Sequence, residues 1–179
     1  MARLPNAALA RIREIEADLR LVVDGGPSAL AAVTAELPSL VQSDGALSYV
    51  LAPSAHTVRF QESFTERLPR AFLEALGDHM ARQPVGWTMY NPLRPDPRQR
   101  NRVFYTDTIL RLLGLPSTDS VPMYRDLFPQ FAMTKVDVLR VLVCDGPSLL
   151  GYVSASRLEP FTDVEVRTLQ RLVPALQRR

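Results

Sequence analysis

Cysteine occurs once in the 179 residues, at Cys144, which excludes an intramolecular disulfide framework. With only two histidines, His56 and His79, the chain is also too poor in soft ligands for a four-ligand zinc site. Lysine is just as scarce: Lys135 stands alone, so 20 of the 21 basic residues are arginine. No apolar run approaches the roughly 20 residues that a membrane-spanning helix needs. Residues 1–25 hold no signal-peptide core, and we expect a soluble, cytoplasmic protein with no membrane association. Neither GxxxxGK[ST] nor GxGxxG occurs, and Gly25-Gly26 reads as helix punctuation rather than a phosphate loop. A formal net charge of +2 from 21 bases and 19 acids gives no broad basic face for nucleic acid.

What remains is an ordinary globular composition, 46% hydrophobic and 22% charged, long enough for one domain with its own core. We expect that domain to span residues 1–179. In residues 6–23, Ala8, Ile12, Ile15, Leu19 and Val22 recur at alternating spacings of four and three, a narrow helical seam that either packs against this protein's own core or makes a helical dimer contact. Asp24-Gly25-Gly26 stops the helix, and Pro27 suits the first turn of the next, which Pro38 interrupts or restarts. The period then changes. ALSYVLAP (46–53) and HTVRFQESF (56–64) are rich in β-branched and aromatic residues, with a turn at Pro53-Ser54-Ala55, and read as a β-hairpin. Residues 66–83 return to helical spacing through Leu68, Phe72, Leu76 and Met80, with Thr65 as the expected N-cap and Pro69 either in the first turn or setting the true start.

Residues 83–131 are irregular. Six of the 15 prolines fall between Pro84 and Pro122, and NPLRPDPRQRNR (91–102) reads as an exposed loop. Seven of the 13 aromatic residues lie here too, so the segment is too apolar for disorder. KVDVLRVLVC and SLLGYVSASR are strands joined by Asp145-Gly146-Pro147. Val136, Val138, Arg140, Leu142 and Cys144 alternate with Asp137, Leu139, Val141 and Val143, which makes the first of them apolar on both faces and central. Thr162-Asp163-Val164-Glu165 is a capping box opening a final helix over 162–179. Its stripe is Val166, Leu169, Val173 and Leu176, and Pro174 lies inside it.

Chemistry is sparse. Cys144, Ser148 and Ser156 are the candidate nucleophiles with His56 or His79 as base, but no GxSxG elbow occurs, and a cysteine on an alternating strand packs as a small apolar residue. We expect no enzyme activity, no metal and no cofactor. Arg94, Arg98, Arg100 and Arg102 form the one local charge concentration, either a solvated loop or a seat for an anionic partner. Trp87, Tyr90, Phe104 and Tyr105 would line a small-molecule pocket with Tyr90, Asn91 and Arg102 as polar anchors, or else pack as core beneath the loop.

The carboxy-terminal stretch VLRVLVCDGPSLLGYVSASRLEPFTDVEVRTLQRLVPALQRR resembles the end of a GAF-type sensor domain: a hairpin, an LLG turn into its second strand, then PFT-x-x-E opening the last helix. VGWTMYNPLRPDPRQRNRV and MYRDLFPQF are similar to connecting segments of GAF-like domains that precede LuxR-type helix-turn-helix modules in bacterial regulators. The helix-turn-helix itself is absent, so no DNA binding by this chain is implied, and the family's NKFDE-like nucleotide signature is not found. The resemblance implies an α+β fold: a central antiparallel sheet, the N- and C-terminal helices on one face, and loops with short helices on the other. It also implies a non-enzymatic sensory domain that takes a small ligand or protein partner between sheet and covering loops. As such a domain it would homodimerise through the terminal helices, with Ile12, Ile15, Leu19, Val22, Leu169, Val173 and Leu176 at the contact. The alternative is a protein-interaction or dimerisation module with no small ligand. Residue patterning supports four strands, whereas the family usually has five or six.

Overall fold

The computed structural model describes residues 4, 6–21, 29–53, 58–83 and 85–177. Val22, Asp24-Gly25-Gly26, Pro27, His56, most of the hairpin turn at 53–55, Pro84 and the side chain of Leu19 lie outside the described residues. The chain runs α1 (Asn6–Leu21), α2 (Ala29–Leu40), β1 (Gly45–Pro53), β2 (Val58–Glu66), α3 (Arg70–Arg82), β3 (Val103–Phe104), α4 (Thr106–Leu113), β4 (Asp137–Asp145), β5 (Ser148–Arg157) and α5 (Asp163–Leu176). Between α4 and β4 the backbone winds through a 3₁₀ turn at Thr118–Ser120, a π turn at Met123–Leu127 and a second 3₁₀ turn at Phe128–Phe131. The strands form one antiparallel sheet in the order β2-β1-β5-β4-β3, an α+β architecture. Among the described residues no helix is long and apolar enough to cross a membrane.

Because side chains alternate along a strand, the sheet feeds two cores. Ala46, Val50, Leu139, Val141, Val143, Val153 and Ala155 point to one face, where Ile12 and Ile15 of α1, Leu30, Val33 and Leu37 of α2, and Leu169, Leu172, Val173 and Leu176 of α5 cover them. The terminal helices thus share one face of the sheet, as the resemblance implied. Their stripes are spent inside the chain: Ile12, Ile15, Leu169, Val173 and Leu176 are all at most 4% exposed. Of the two readings of the apolar spacing, packing against this chain's own core therefore describes these five side chains, since a 3–4 spacing serves a sheet as well as a partner helix. Gly151 permits the close approach of α2, because a Cβ there would come within 3.0 Å of both the Leu30 side chain and the Tyr49 carbonyl.

The opposite face carries Leu47, Tyr49, Leu51, Val138, Leu142, Cys144, Leu149 and Tyr152, covered by Phe72, Leu73, Leu76 and Met80 of α3 and by Ile109, Val121, Met123, Leu127 and Phe128. Helix α3 begins at Arg70 after Pro69, and Thr65, expected as its N-cap, instead pairs with Leu47 within β2. The fifth strand, β3, is two residues long. Helices α2 and α5 continue through Pro38 and Pro174. At the start of α5 the capping box forms, with the Glu165 carboxylate accepting the Thr162 N–H at 2.7 Å.

Candidate functional site

The face of the sheet covered by α3 carries a ladder of aromatic rings. Phe60 stacks on Tyr49 with centroids 4.2 Å apart, Tyr49 on Tyr152 at 4.9 Å, and Tyr152 on Tyr90 at 5.5 Å. The first three come from adjacent strands β2, β1 and β5, whose spacing brings rings into stacking range. Tyr90 arrives from the 83–102 segment, held by a Thr88 hydroxyl that donates to the Tyr90 carbonyl at 2.6 Å. The Tyr49 and Tyr90 hydroxyls are hydrogen-bonded to each other, and the Tyr90 hydroxyl also donates to Met80 Sδ at 3.7 Å. A cavity of about 20 Å³ lies among Tyr49, Tyr90, Tyr124, Tyr152, Ser154 and Ser156 on its polar side and apolar residues such as Phe72, Leu76 and Phe128 on the other. That is room for about one water molecule.

Beside this cavity, on β4, stands Arg140. It is 3% exposed, opposite Ser154 of β5 and Phe104 of β3 in register, with its guanidinium 5.9 Å from the Tyr90 ring centroid. Burial pushes the phenol groups of Tyr49, Tyr90, Tyr124 and Tyr152 above their ordinary range, and the positive charge of Arg140 opposes that rise without cancelling it. All four are therefore neutral hydroxyls at physiological pH, able to donate.

Only part of the expected pocket assembles here. Tyr90 lines the cavity, and Phe104 packs in the same core as a strand neighbour of Arg140. Trp87 is buried, stacks on His79 at 4.6 Å, and does not line the cavity. Asn91 uses its Oδ1 to accept the N–H groups of Leu93 and Arg94, a turn-forming role. Together with Tyr90 it borders an open surface groove of about 270 Å³ that also takes in Arg94 and Gln99. Arg102 is exposed, and Tyr105 packs against the core on the terminal-helix face. The arginine loop is not four free cations either, since Arg98 pairs with Asp96 at 2.7 Å and Arg100 donates twice to the Pro95 carbonyl. An open groove of about 700 Å³ between β2 and α3 carries Arg59, Arg70, Glu74 and Asp78 and is lined by none of the tyrosines.

Sequence reasoning missed Tyr49, Tyr124, Arg140, Tyr152 and Ser154 as site residues, and singled out Ser156 only as a candidate nucleophile. The signal that could have found them was a charged residue on the alternating apolar face of a central strand, Val138-x-Arg140-x-Leu142. Cys144 is buried and its thiol is pushed up to about 11 by burial. A disulfide reagent such as dithionitrobenzoate is expected to leave the native protein unlabelled and to titrate one thiol per chain in denaturant, and stoichiometric native labelling would contradict this.

No protein-family model matches the sequence, and none of the curated proteins does. Solved structures do. The chain is similar to the GAF domain of an Acinetobacter phosphoenolpyruvate-protein phosphotransferase, with a TM-score of 0.57 and 14% identity over 97% of this chain and 92% of that one. The corresponding domain from Coxiella burnetii gives 0.55 at 14% identity, covering 95% and 92%. The phycocyanobilin-bound GAF domain of a cyanobacterial phytochrome gives 0.54 at 14% identity, covering 98% and 93%. At these identities the likeness speaks to architecture, and it agrees with the strand order and the two-layer covering found above: the chain has the fold of a GAF domain.

Proposed function

We propose that this chain is a non-enzymatic sensory or regulatory domain. It binds a small ligand on the tyrosine-lined face of the sheet and relays occupancy to its terminal helices, within a bacterial transcription-regulation or signalling system. The observation that carries this reading is the wiring between the two faces. Gln170 of α5 accepts the Val103 N–H at 2.9 Å and donates to the Asn101 carbonyl at 2.8 Å, while Gln177 donates to the Cys144 carbonyl at 3.1 Å. Asn101 in turn bridges both backbone groups of Cys144. A displacement of β3 or of the loop before it thus reaches α5 through direct hydrogen bonds. Strand β5 adds a second route, with Tyr152 and Ser154 on the ligand side and Val153 and Ala155 against the helices. The likeness to a bilin-bound GAF domain supports small-ligand binding by this fold. A homodimer through the terminal helices would use their outer surfaces.

A second reading, an interaction module with no small ligand, is favoured by the near-filled interior: about 20 Å³ holds one water and nothing the size of a bilin. Native mass spectrometry of the purified protein, under gentle and then activating conditions, separates the two. A discrete mass shed on activation is expected for the sensory domain. Bare chain mass throughout, with no small molecule in a metabolite panel raising the melting temperature, overturns it in favour of the interaction module.

A further inference from the structure

Two arginines are buried in this fold, and they are treated very differently. Arg157, 9% exposed, has all three guanidinium nitrogens bonded, to four backbone carbonyls and to the Glu165 carboxylate. Arg140 is more deeply buried, yet its Nη1 has no hydrogen-bond partner, its Nη2 makes a long 3.5 Å approach to the Met89 carbonyl, and beyond that it shares a side-chain hydrogen bond with Tyr152. Among the described residues it forms no ion pair. The hydroxyls around it are neutral phenols and serines, which cannot balance its charge. A buried cation with an unused donor edge is costly. Arg140 does not itself line the cavity but neighbours three residues that do: Ser154 stands opposite it on β5, the Tyr90 ring centroid lies 5.9 Å away, and Tyr152 shares a hydrogen bond with it.

We propose that this site takes a small organic acid whose carboxylate is held by the free edge of Arg140, with tyrosine hydroxyls of the cavity as further donors. The inference rests on the small-ligand reading above and supplies its chemical class. The planar guanidinium fork matches a carboxylate in two parallel hydrogen bonds. Aromatic walls on the remaining sides accept an apolar or aromatic body. Formate and acetate, with three and four heavy atoms, are the carboxylates nearest in size to the one-water cavity, and every acid larger than water requires Met123, Tyr124 and Phe128 to move. These lie on successive π and 3₁₀ turns, whose hydrogen bonding is poorer than that of a regular helix.

The test is calorimetric titration of the full chain with sodium formate, acetate and benzoate against sodium chloride at matched ionic strength, with benzyl alcohol as the neutral counterpart of benzoate. Wild type is compared with Arg140→Met and Arg140→Lys, and circular dichroism verifies the fold of each. We expect saturable binding of at least one carboxylate, weakened roughly 10- to 100-fold in Arg140→Met, the loss of one charge-assisted contact. Arg140→Lys should recover part of it. Should Arg140→Met fail to fold, the salt series on wild type with its Arg140 side-chain nitrogen resonances followed by NMR gives the same answer: shifts with carboxylate and none with chloride. Neutral ligands bound equally by wild type and Arg140→Met, with no carboxylate binding, overturn the carboxylate class while leaving the sensory reading standing. Absence of binding by every compound here and in the metabolite panel overturns both.

Discussion

Arg157→Ala is expected to destabilise the protein by about 3–5 kcal/mol, the usual cost of removing one partner from a buried ion pair. For a chain of this length that lowers the melting temperature by roughly 6–20 °C, read by thermal denaturation. The reason is the number of elements that meet at one guanidinium. Its Nε donates to the Glu159 carbonyl at 3.0 Å, Nη1 to the Val41 and Gln42 carbonyls, and Nη2 to the Pro160 carbonyl at 2.7 Å and to Glu165 at 2.9 Å. The end of α2, the exit of β5 and the first turn of α5 are thereby tied together, and the guanidinium also lies 4.2 Å from the Phe161 ring centroid. Alanine leaves these carbonyls without their donor and Glu165, 14% exposed, without its cation. Lysine would not substitute, because one ammonium cannot reach partners arranged around a planar fork. A loss under about 1 kcal/mol would mean that water replaces the arginine at little cost.

The same pair sets an acid limit. Burial raises the Glu165 carboxyl, but the bonds from Arg157 and from the Thr162 amide and hydroxyl outweigh it, leaving the carboxyl below its ordinary 4.5. A group with a lowered folded-state value contributes stability that is complete above the unfolded value and is lost as pH falls through the folded one. Wild type should therefore lose stability as pH drops below about 4.5, and Arg157→Ala should lose less over the same interval.

How far these features were readable in advance differs by kind. The β4-β5 hairpin and the capping box at 162–165 follow from local patterns, alternation in the first case and a reciprocal pair of side chains in the second, and both are found at those residues. Strand β3 was not legible, since two residues carry no period. Of the two starts the sequence offers α3, Thr65 as cap is four residues early, since its pairing with Leu47 is a tertiary fact, and Pro69 marks the true one. Ile12, Ile15, Leu169, Val173 and Leu176 show a deeper ambiguity. Their spacing states only that one face is buried, and the sheet rather than a second chain buries it. The site was missed for a related reason. Aromatic density points to 83–131, yet three of the four stacked rings stand on strands outside it, Tyr49 and Phe60 on neighbouring strands early in the chain and Tyr152 about 90 to 100 residues further on. Only the pairing of β1 with both β2 and β5 assembles them.

Arg140→Met should have the opposite sign to Arg157→Ala: we expect it to stabilise the ligand-free protein, by about 1–4 kcal/mol, the range seen when buried charge is exchanged for apolar side chains of similar volume. Methionine is unbranched and flexible enough to fill the space of the arginine stem between Tyr90, Phe104 and Ser154. What is lost is a 3.5 Å contact with the Met89 carbonyl, a cation–π approach at 5.9 Å and the hydrogen bond shared with Tyr152. What is removed is an uncompensated charge at 3% exposure. Urea denaturation in chloride buffer measures the difference. The two arginines lie on neighbouring strands, so Arg157→Met measured beside Arg140→Met holds sheet and replacement constant and varies mainly the partners. If Arg140→Met were instead as damaging as Arg157→Ala, Arg140 would have to be satisfied within the fold, and the case for an anion completing it would fall. A stabilised variant that no longer responds to carboxylates would show stability held back at a position kept for binding.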